Sequence, residues 1–266
     1  MRRQAVPLHK KRHYHILNAI HEHPNDDKAM SVHLGIGTGM RNNTIGHVYK
    51  DWFFYDSDGN LYIQIPGSDK CRKGNGDGTC GHCEDGGQYN PKTEAGDGRI
   101  ILIPNSWHNH ANEGEEEYFG LKDHVEAYFA LDGKNAPDNV RYGKDMIQGN
   151  GVSKGPLNKW VRDVAAKSAI QPQLRMKRLE QAGVPNGNGE DEPKKIKDFG
   201  HDDEGNKIPD MIFHDLRACY CTQLMRNEVP PHKAINKTGH ADPDSLKPYV
   251  MFAANEIDAK EEQQWY

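Results

Sequence analysis

Three short runs of aromatic and β-branched residues, all between Trp52 and Ile103, interrupt a chain whose other apolar residues recur at helical spacing. That pattern confines the strands to one small sheet in a mainly helical fold. Trp52–Tyr55 and Leu61–Ile65 flank Asp58-Gly59, a hairpin signal, and Arg99–Ile103 follows the turn Ala95-Gly96-Asp97-Gly98. The fold class expected is therefore α+β, mainly α-helical, with a three-stranded antiparallel sheet. Between the second and third strands, residues 67–90 are rich in Gly, Cys and Asp and cannot form an apolar core of their own, so something else must order them. Helices are expected over residues 10–23, from Asp27 towards Gly37, and over Leu121–Leu131, Lys154–Ile170, Leu174–Ala182, His214–Asn227, Pro231–Lys237 and Asp244–Met251. Residues 184–212 read as a long loop and 253–266 as an acidic tail, and no internal repeat is present.

A formal net charge of −5 argues against a uniformly basic nucleic-acid binder but leaves room for a basic face. Lys154, Lys159, Arg162, Lys167, Arg175, Lys177 and Arg178 stand against the single acid Asp163 in one stretch, which suits either phosphates or a solvated helix face. No apolar run approaches the roughly 18 residues that a membrane span needs. The start, Met1-Arg2-Arg3, leads into polar sequence without a signal core, so a cytoplasmic, nucleoid-associated location without membrane contact is expected. Cysteines number five, an odd count, with Cys71, Cys80 and Cys83 clustered, which argues against a secreted disulfide framework.

In His214-Asp215-Leu216-Arg217 the His and Arg fall on one face of a helix and can address the same anion, the Arg as a planar donor fork. By itself the pair is also a common surface arrangement. Gly239-His240 follows, and nine residues after that histidine comes Tyr249. A phenol with a pKa near 10 attacks a phosphodiester only where cations stabilise the charge that develops on oxygen. Without such cations Tyr249 would read as one more apolar helix residue beside Leu246, Val250 and Met251.

Thr38-Gly39-Met40-Arg41, Pro91-Lys92-Thr93, His214-Asp215-Leu216-Arg217, Gly239-His240 and Tyr249 occur in the order and approximate spacing of the tyrosine recombinases, and from about residue 12 to 252 the chain resembles the catalytic domain of that phage-integrase family. The resemblance implies a site-specific recombinase that cleaves and rejoins double-stranded DNA through a 3′-phosphotyrosine at Tyr249, without a catalytic cofactor. Arg41 and Arg217 would clamp the phosphate, His240 would add a hydrogen bond, His214 would assist proton transfer, and Lys92 would protonate the leaving 5′-oxygen. Lys70 and Lys73 compete with Lys92, but read as solvated loop charges. Similar enzymes carry an acidic residue three positions after the first arginine, where this chain has Thr44. They act as tetramers on two duplexes, at times with accessory DNA-binding proteins, and usually carry an N-terminal helical DNA-binding domain that is not expected within residues 1–266. A catalytically silent DNA-binding regulator of the same fold and a type IB topoisomerase are the alternatives.

Cys71, Cys80 and Cys83, with His82 inside the last step, suit a tetrahedral structural zinc bracing the hairpin that carries Lys92. His108 or His110 could instead complete such a site, and the same segment also reads as a reduced loop without metal. Cys219 and Cys221 point to different faces of their helix and are expected to fill core space.

Overall fold

A computed structural model describes residues 16, 19–20, 27–73, 83, 87–92, 97–104, 120–131, 144–147, 151, 154–167, 199–206 and 208–254. The expected helix over 174–182, the tail after 254 and most of the first helix lie outside the described residues. Ile16, Ala19 and Ile20 of that first helix are helical and buried.

Helix α1 (Asp27–Thr38) is the axis of the molecule, buried from Ala29 to its end and packed against helices α3 (Leu121–Phe129), α4 (Lys154–Lys167) and α5 (Phe213–Arg226). A helix surrounded on several sides must be apolar or small on several sides, and Met30, Val32, Leu34, Gly35 and Ile36 meet that demand. Gly35 permits the closest approach, since a Cβ there would lie 2.7 Å from Phe213 Cζ of α5. The short helix α2 (Asn42–Ile45) and a 3₁₀ turn (Lys50–Trp52) lead into the sheet.

Strands β1 (Phe53–Tyr55), β2 (Leu61–Ile65) and β5 (Arg99–Leu102) form the expected antiparallel sheet in the order β1-β2-β5, with Phe53 opposite Ile63 and Ile63 opposite Ile101. Phe53, Leu61, Ile63, Ile65 and Ile101 turn inward, while Phe54, Ile100 and Leu102 face out, the alternation a pleated strand imposes. Residues 67–90 contribute an element that composition did not suggest. Their two ends pair as an antiparallel ribbon, β3 (Asp69–Lys70) with β4 (Gln88–Tyr89). The ribbon is ordered by neighbours rather than by a core of its own: Trp52 Nε1 donates to Asp69 at 2.9 Å, the Arg72 amide donates to Tyr49 Oη at 2.6 Å, and Tyr89 is fully buried.

Helix α5 starts one residue before the expected His214, because Asp215 in its first turn accepts the Ile212 amide at 2.9 Å. Helix α6 (Pro231–Thr238) begins on a proline and ends on Gly239 at φ 65°, a left-handed conformation that glycine adopts without penalty. The expected helix at Asp244–Met251 is instead a 3₁₀ turn (Pro243–Leu246), capped by Asp242 accepting the Ser245 amide at 2.9 Å, followed by helix α7 over 247–254. No helix among the described residues is long and apolar enough to cross a membrane.

Candidate active site

Two glycines that end helices hold two arginines by their carbonyls. Gly39, at φ 62°, closes α1 with its amide bonded to Gly35 O at 3.1 Å, and a Cβ there would come within 2.3 Å of Tyr220 Cδ1. The turn it makes delivers Arg41 to the start of α2. Gly39 O accepts Arg217 Nη1 at 2.6 Å, and Gly239 O, at the end of α6, accepts Arg41 Nη2 at 3.1 Å. Carbonyls at helix C-termini carry partial negative charge, so both guanidinium groups sit where the backbone favours a cation.

A third arginine completes the cluster. Arg99 opens β5 on the same inward phase as Ile101, and is 8% exposed. Burial first, then Arg217 and Arg41, lower its pKa to about 9, and burial with Arg217 lowers that of Arg41 to about 10. Arg99 and Arg41 therefore remain cations at neutral pH. Nε and Nη1 of Arg99 and Nε of Arg217 have no hydrogen-bond partner among the described residues. Crowded buried donors of one sign are costly alone and favour an incoming anion.

His240 is held in one tautomer. A guanidinium only donates, so Arg217 Nη2, 3.2 Å away, makes His240 Nε2 the acceptor; Thr238 Oγ1 directs its own hydrogen to Ala234 O at 2.7 Å and therefore accepts from Nδ1, also at 2.7 Å. Burial, then Arg217 and Arg41, lower the His240 pKa to about 3, consistent with a neutral ring. His214, exposed on the first turn of α5, acts on the same ring electrostatically.

Tyr249 lies on α7, 7% exposed, its ring centroid 6.0 Å from that of His240. Burial raises its pKa, Cys221 and Asp215 add to that, and Arg217 and Arg41 oppose it. The phenol therefore stands in the field of both arginines and is protonated at neutral pH.

The structure thus gathers Arg41, Arg217, His240 and Tyr249, with His214 beside them. Lys92 is exposed in the bend after β4, without a hydrogen bond or ion pair among the described residues; Tyr89, three residues before it, interacts with Arg99 and Arg41. Lys70 is exposed as expected, but Lys73 is buried rather than solvated, its stem packed by Gly151. Thr44 accepts a bond from Tyr89 Oη at 3.0 Å, so it braces the ribbon while Gly239 steadies Arg41. Of the basic stretch, Lys159 and Lys167 are exposed and Arg162 is half-buried; Arg162 stacks on Phe199 at 4.2 Å and Lys167 pairs with Glu204 at 3.7 Å, while Arg175, Lys177 and Arg178 lie outside the described residues.

Cys80, His82, His108 and His110 lie outside the described residues. Cys71 and Cys83 instead meet His47, a residue sequence reasoning passed over, with ligand atoms all within 4.8 Å of one another. Sequence reasoning also missed Arg99, which its alternation with Ile101 and Ile103 could have placed on the inner face.

No protein-family profile and no curated protein matches the chain. Among solved structures it is similar to XerA recombinase, at 14% identity and a TM-score of 0.50, over 98% of this chain and 65% of that one. It is also similar to XerH site-specific recombinase bound to its palindromic difH substrate, at 13% identity and a TM-score of 0.50, over 99% of this chain and 54% of that one. The chain spans less than two thirds of either protein. Both are tyrosine recombinases, and the chain has their catalytic-domain fold.

Proposed function

We propose that this chain is a site-specific DNA recombinase that cleaves and rejoins DNA through a phosphotyrosine at Tyr249. The observation that carries the reading is the phenol of Tyr249 in the electrostatic reach of Arg41 and Arg217, beside the ring that Arg217 holds. XerH, a fold relative, is captured on its DNA substrate, which supports a DNA partner here.

A phosphodiester entering the cluster meets three guanidinium groups, two of which carry donors without a partner among the described residues. Those donors are closed to solvent, so entry requires neighbouring side chains to move. A phosphate also changes His240. Its negative charge favours the imidazolium, which can donate from Nε2 to a phosphate oxygen once Arg217 turns to the phosphate as well. Tyr249 Oη then attacks phosphorus, the bond from phosphorus to the 5′-oxygen breaks, the phenolic proton passes to His214, and the 5′-oxygen takes a proton from Lys92. Rejoining is the reverse reaction with the 5′-hydroxyl of another strand. No co-reactant is consumed, because each ester replaces another. Strand exchange would take four copies on two duplexes, with or without accessory DNA-binding proteins.

The test is a library of nicked duplexes of random sequence, from which covalent protein–DNA adducts are recovered under denaturing conditions. The wild-type chain should yield adducts on a restricted set of sequences, and Tyr249→Phe should yield none while still binding DNA. DNA binding without any wild-type adduct would identify a silent regulator instead. Relaxation of supercoiled plasmid without exchange between duplexes would identify a topoisomerase.

A further inference from the structure

We propose that His47, Cys71 and Cys83 bind a zinc ion that fastens the β3–β4 ribbon to the segment following Arg41. The three residues come from separate places: His47 lies just after α2, Cys71 just after β3, and Cys83 between β3 and β4. His47 and Cys71 are fully buried. Cys83 Sγ lies 3.3 Å from His47 Nε2, and all three ligand atoms fall within 4.8 Å of one another. Tetrahedral zinc with sulfur and imidazole ligands needs separations of roughly 3.6–3.8 Å between ligand atoms, so shifts of about an ångström or less seat the ion.

The tautomer of His47 points the same way. Its Nδ1 lies 2.7 Å from Asn43 O, an atom that can only accept, so the ring proton is on Nδ1 and the Nε2 lone pair faces the sulfur atoms. A ligating imidazole commonly has that second hydrogen bond, which fixes the ring and raises its basicity. The Tyr89 ring, with its centroid 4.9 Å away, holds the imidazole from the ribbon side. Two thiols with one imidazole are a soft donor set that suits zinc and not calcium or magnesium. Neither Cys71 nor Cys83 is joined in a disulfide, and zinc would take each as its thiolate.

The consequence is mechanical. Arg41 caps α2, and His47 follows that helix at once, so an ion shared with Cys71 and Cys83 ties the entry of Arg41 to the ribbon that leads to Lys92. Ordering a Gly- and Asp-rich segment requires energy that its own apolar area cannot supply, and metal binding supplies folding energy outright.

The whole chain, purified under reducing conditions without added metal, should contain zinc in equimolar amount. Replacement by Co²⁺ should give a thiolate-to-metal charge-transfer band and the intense visible bands of a tetrahedral ion. His47→Ala and Cys83→Ser should each weaken metal retention by at least about tenfold, and Cys83→His should restore it. Wild-type chain that is metal-free, that shows no thiolate band with Co²⁺, and whose Cys71 and Cys83 react as ordinary thiols overturns the proposal. So does a folded His47→Ala variant with unchanged zinc content and cobalt spectrum. The wild-type measurement stands even where a variant fails to fold.

Discussion

Arg217 and Tyr249 rest on different cores. Arg217 is tied to Gly39 O beside the large core, which holds Leu34 and Ile36 of α1 with Leu216 and Cys219 of α5, whereas the carbonyl that accepts from Arg41, Gly239 O, ends α6, whose Ala234 is outside that core. Tyr249 belongs to a second, smaller cluster with Ala218, Cys221, Leu224, Ala234 and Leu246, and its chain neighbours Val250 and Met251 are 45% and 43% exposed. Helix α5 serves both, Leu216 and Cys219 on one face and Ala218 and Cys221 on the other. Arg217 thus rests on the larger core, which is expected to open last, while Tyr249 sits on a cluster with less apolar area to hold it and Arg41 bonds to a helix of that smaller cluster. For the proposed cleavage, in which a phosphate must be held and a strand later released, that division would let the helix of Tyr249 move while Arg217 stays anchored at Gly39 O.

The comparison breaks first at Arg217. Removing its fork by Arg217→Ala should slow covalent cleavage by about 10²–10³-fold, and Arg217→Lys should recover only a part, because an ammonium cannot reach Gly39 O and a phosphate with one planar group. A rate within a factor of a few of wild type for either variant would show that the large core does not position the clamp.

The two cores should also respond differently to equal truncations. Leu216→Ala, in the large core, should lower global stability by about 2–5 kcal/mol in denaturant unfolding. Leu246→Ala, in the small one, should affect global stability less and raise amide exchange selectively in α7, with cleavage slowed alongside. Equal global losses would mean a single cooperative core.

Arg99 sharpens the contrast in the opposite direction. Its guanidinium is buried among like charges with two donors lacking partners among the described residues, so Arg99→Met should stabilise the DNA-free chain by about 1–3 kcal/mol and weaken phosphate binding at the same time. Thermal unfolding with and without inorganic sulfate reads both effects. Loss of stability in the variant would show that Arg99 is paired after all.

A further contrast is with pH. His240 has a folded pKa of about 3 and an unfolded value of 6.5, and burial holds His33 well below 6.5 as well. The unfolded chain therefore binds the extra protons, and stability should be full above pH 6.5 and fall as pH drops from there towards 3. Sulfate, which favours the imidazolium at His240, should stabilise more strongly as pH falls through that window, and His240→Gln should remove the sulfate component.

The helices and the sheet were readable from local spacing, while the set of site residues came from the resemblance of five short motifs to the tyrosine recombinases. Arg41, Arg217, His240 and Tyr249 are singled out together only by the resemblance, whereas the sheet followed from alternation in Leu61–Ile65 and Arg99–Ile103. Cys219 and Cys221 do fill the two cores, as their positions on one helix required. Other features depend on contacts distant in sequence. His47 precedes Cys71 with no ligand-like spacing, and only folding of the ribbon onto Tyr49 and Trp52 brings them together. The ribbon itself hides in a segment with no apolar period. Lys73 reads as a loop charge until Gly151 packs over it, and Pro243 with the Asp242 cap turns an expected α-helix start into a 3₁₀ turn.

The most direct measurement is the site of attachment. Trypsin does not cut before Pro248, so one peptide, from Thr238 to Lys260, carries Tyr249 and no other tyrosine. After cleavage of a nicked duplex and nuclease digestion, fragmentation of that peptide should place a nucleotide phosphate on the Tyr249 phenol. An adduct whose phosphate maps to any other residue, with Tyr249 unmodified, would contradict the account at its centre.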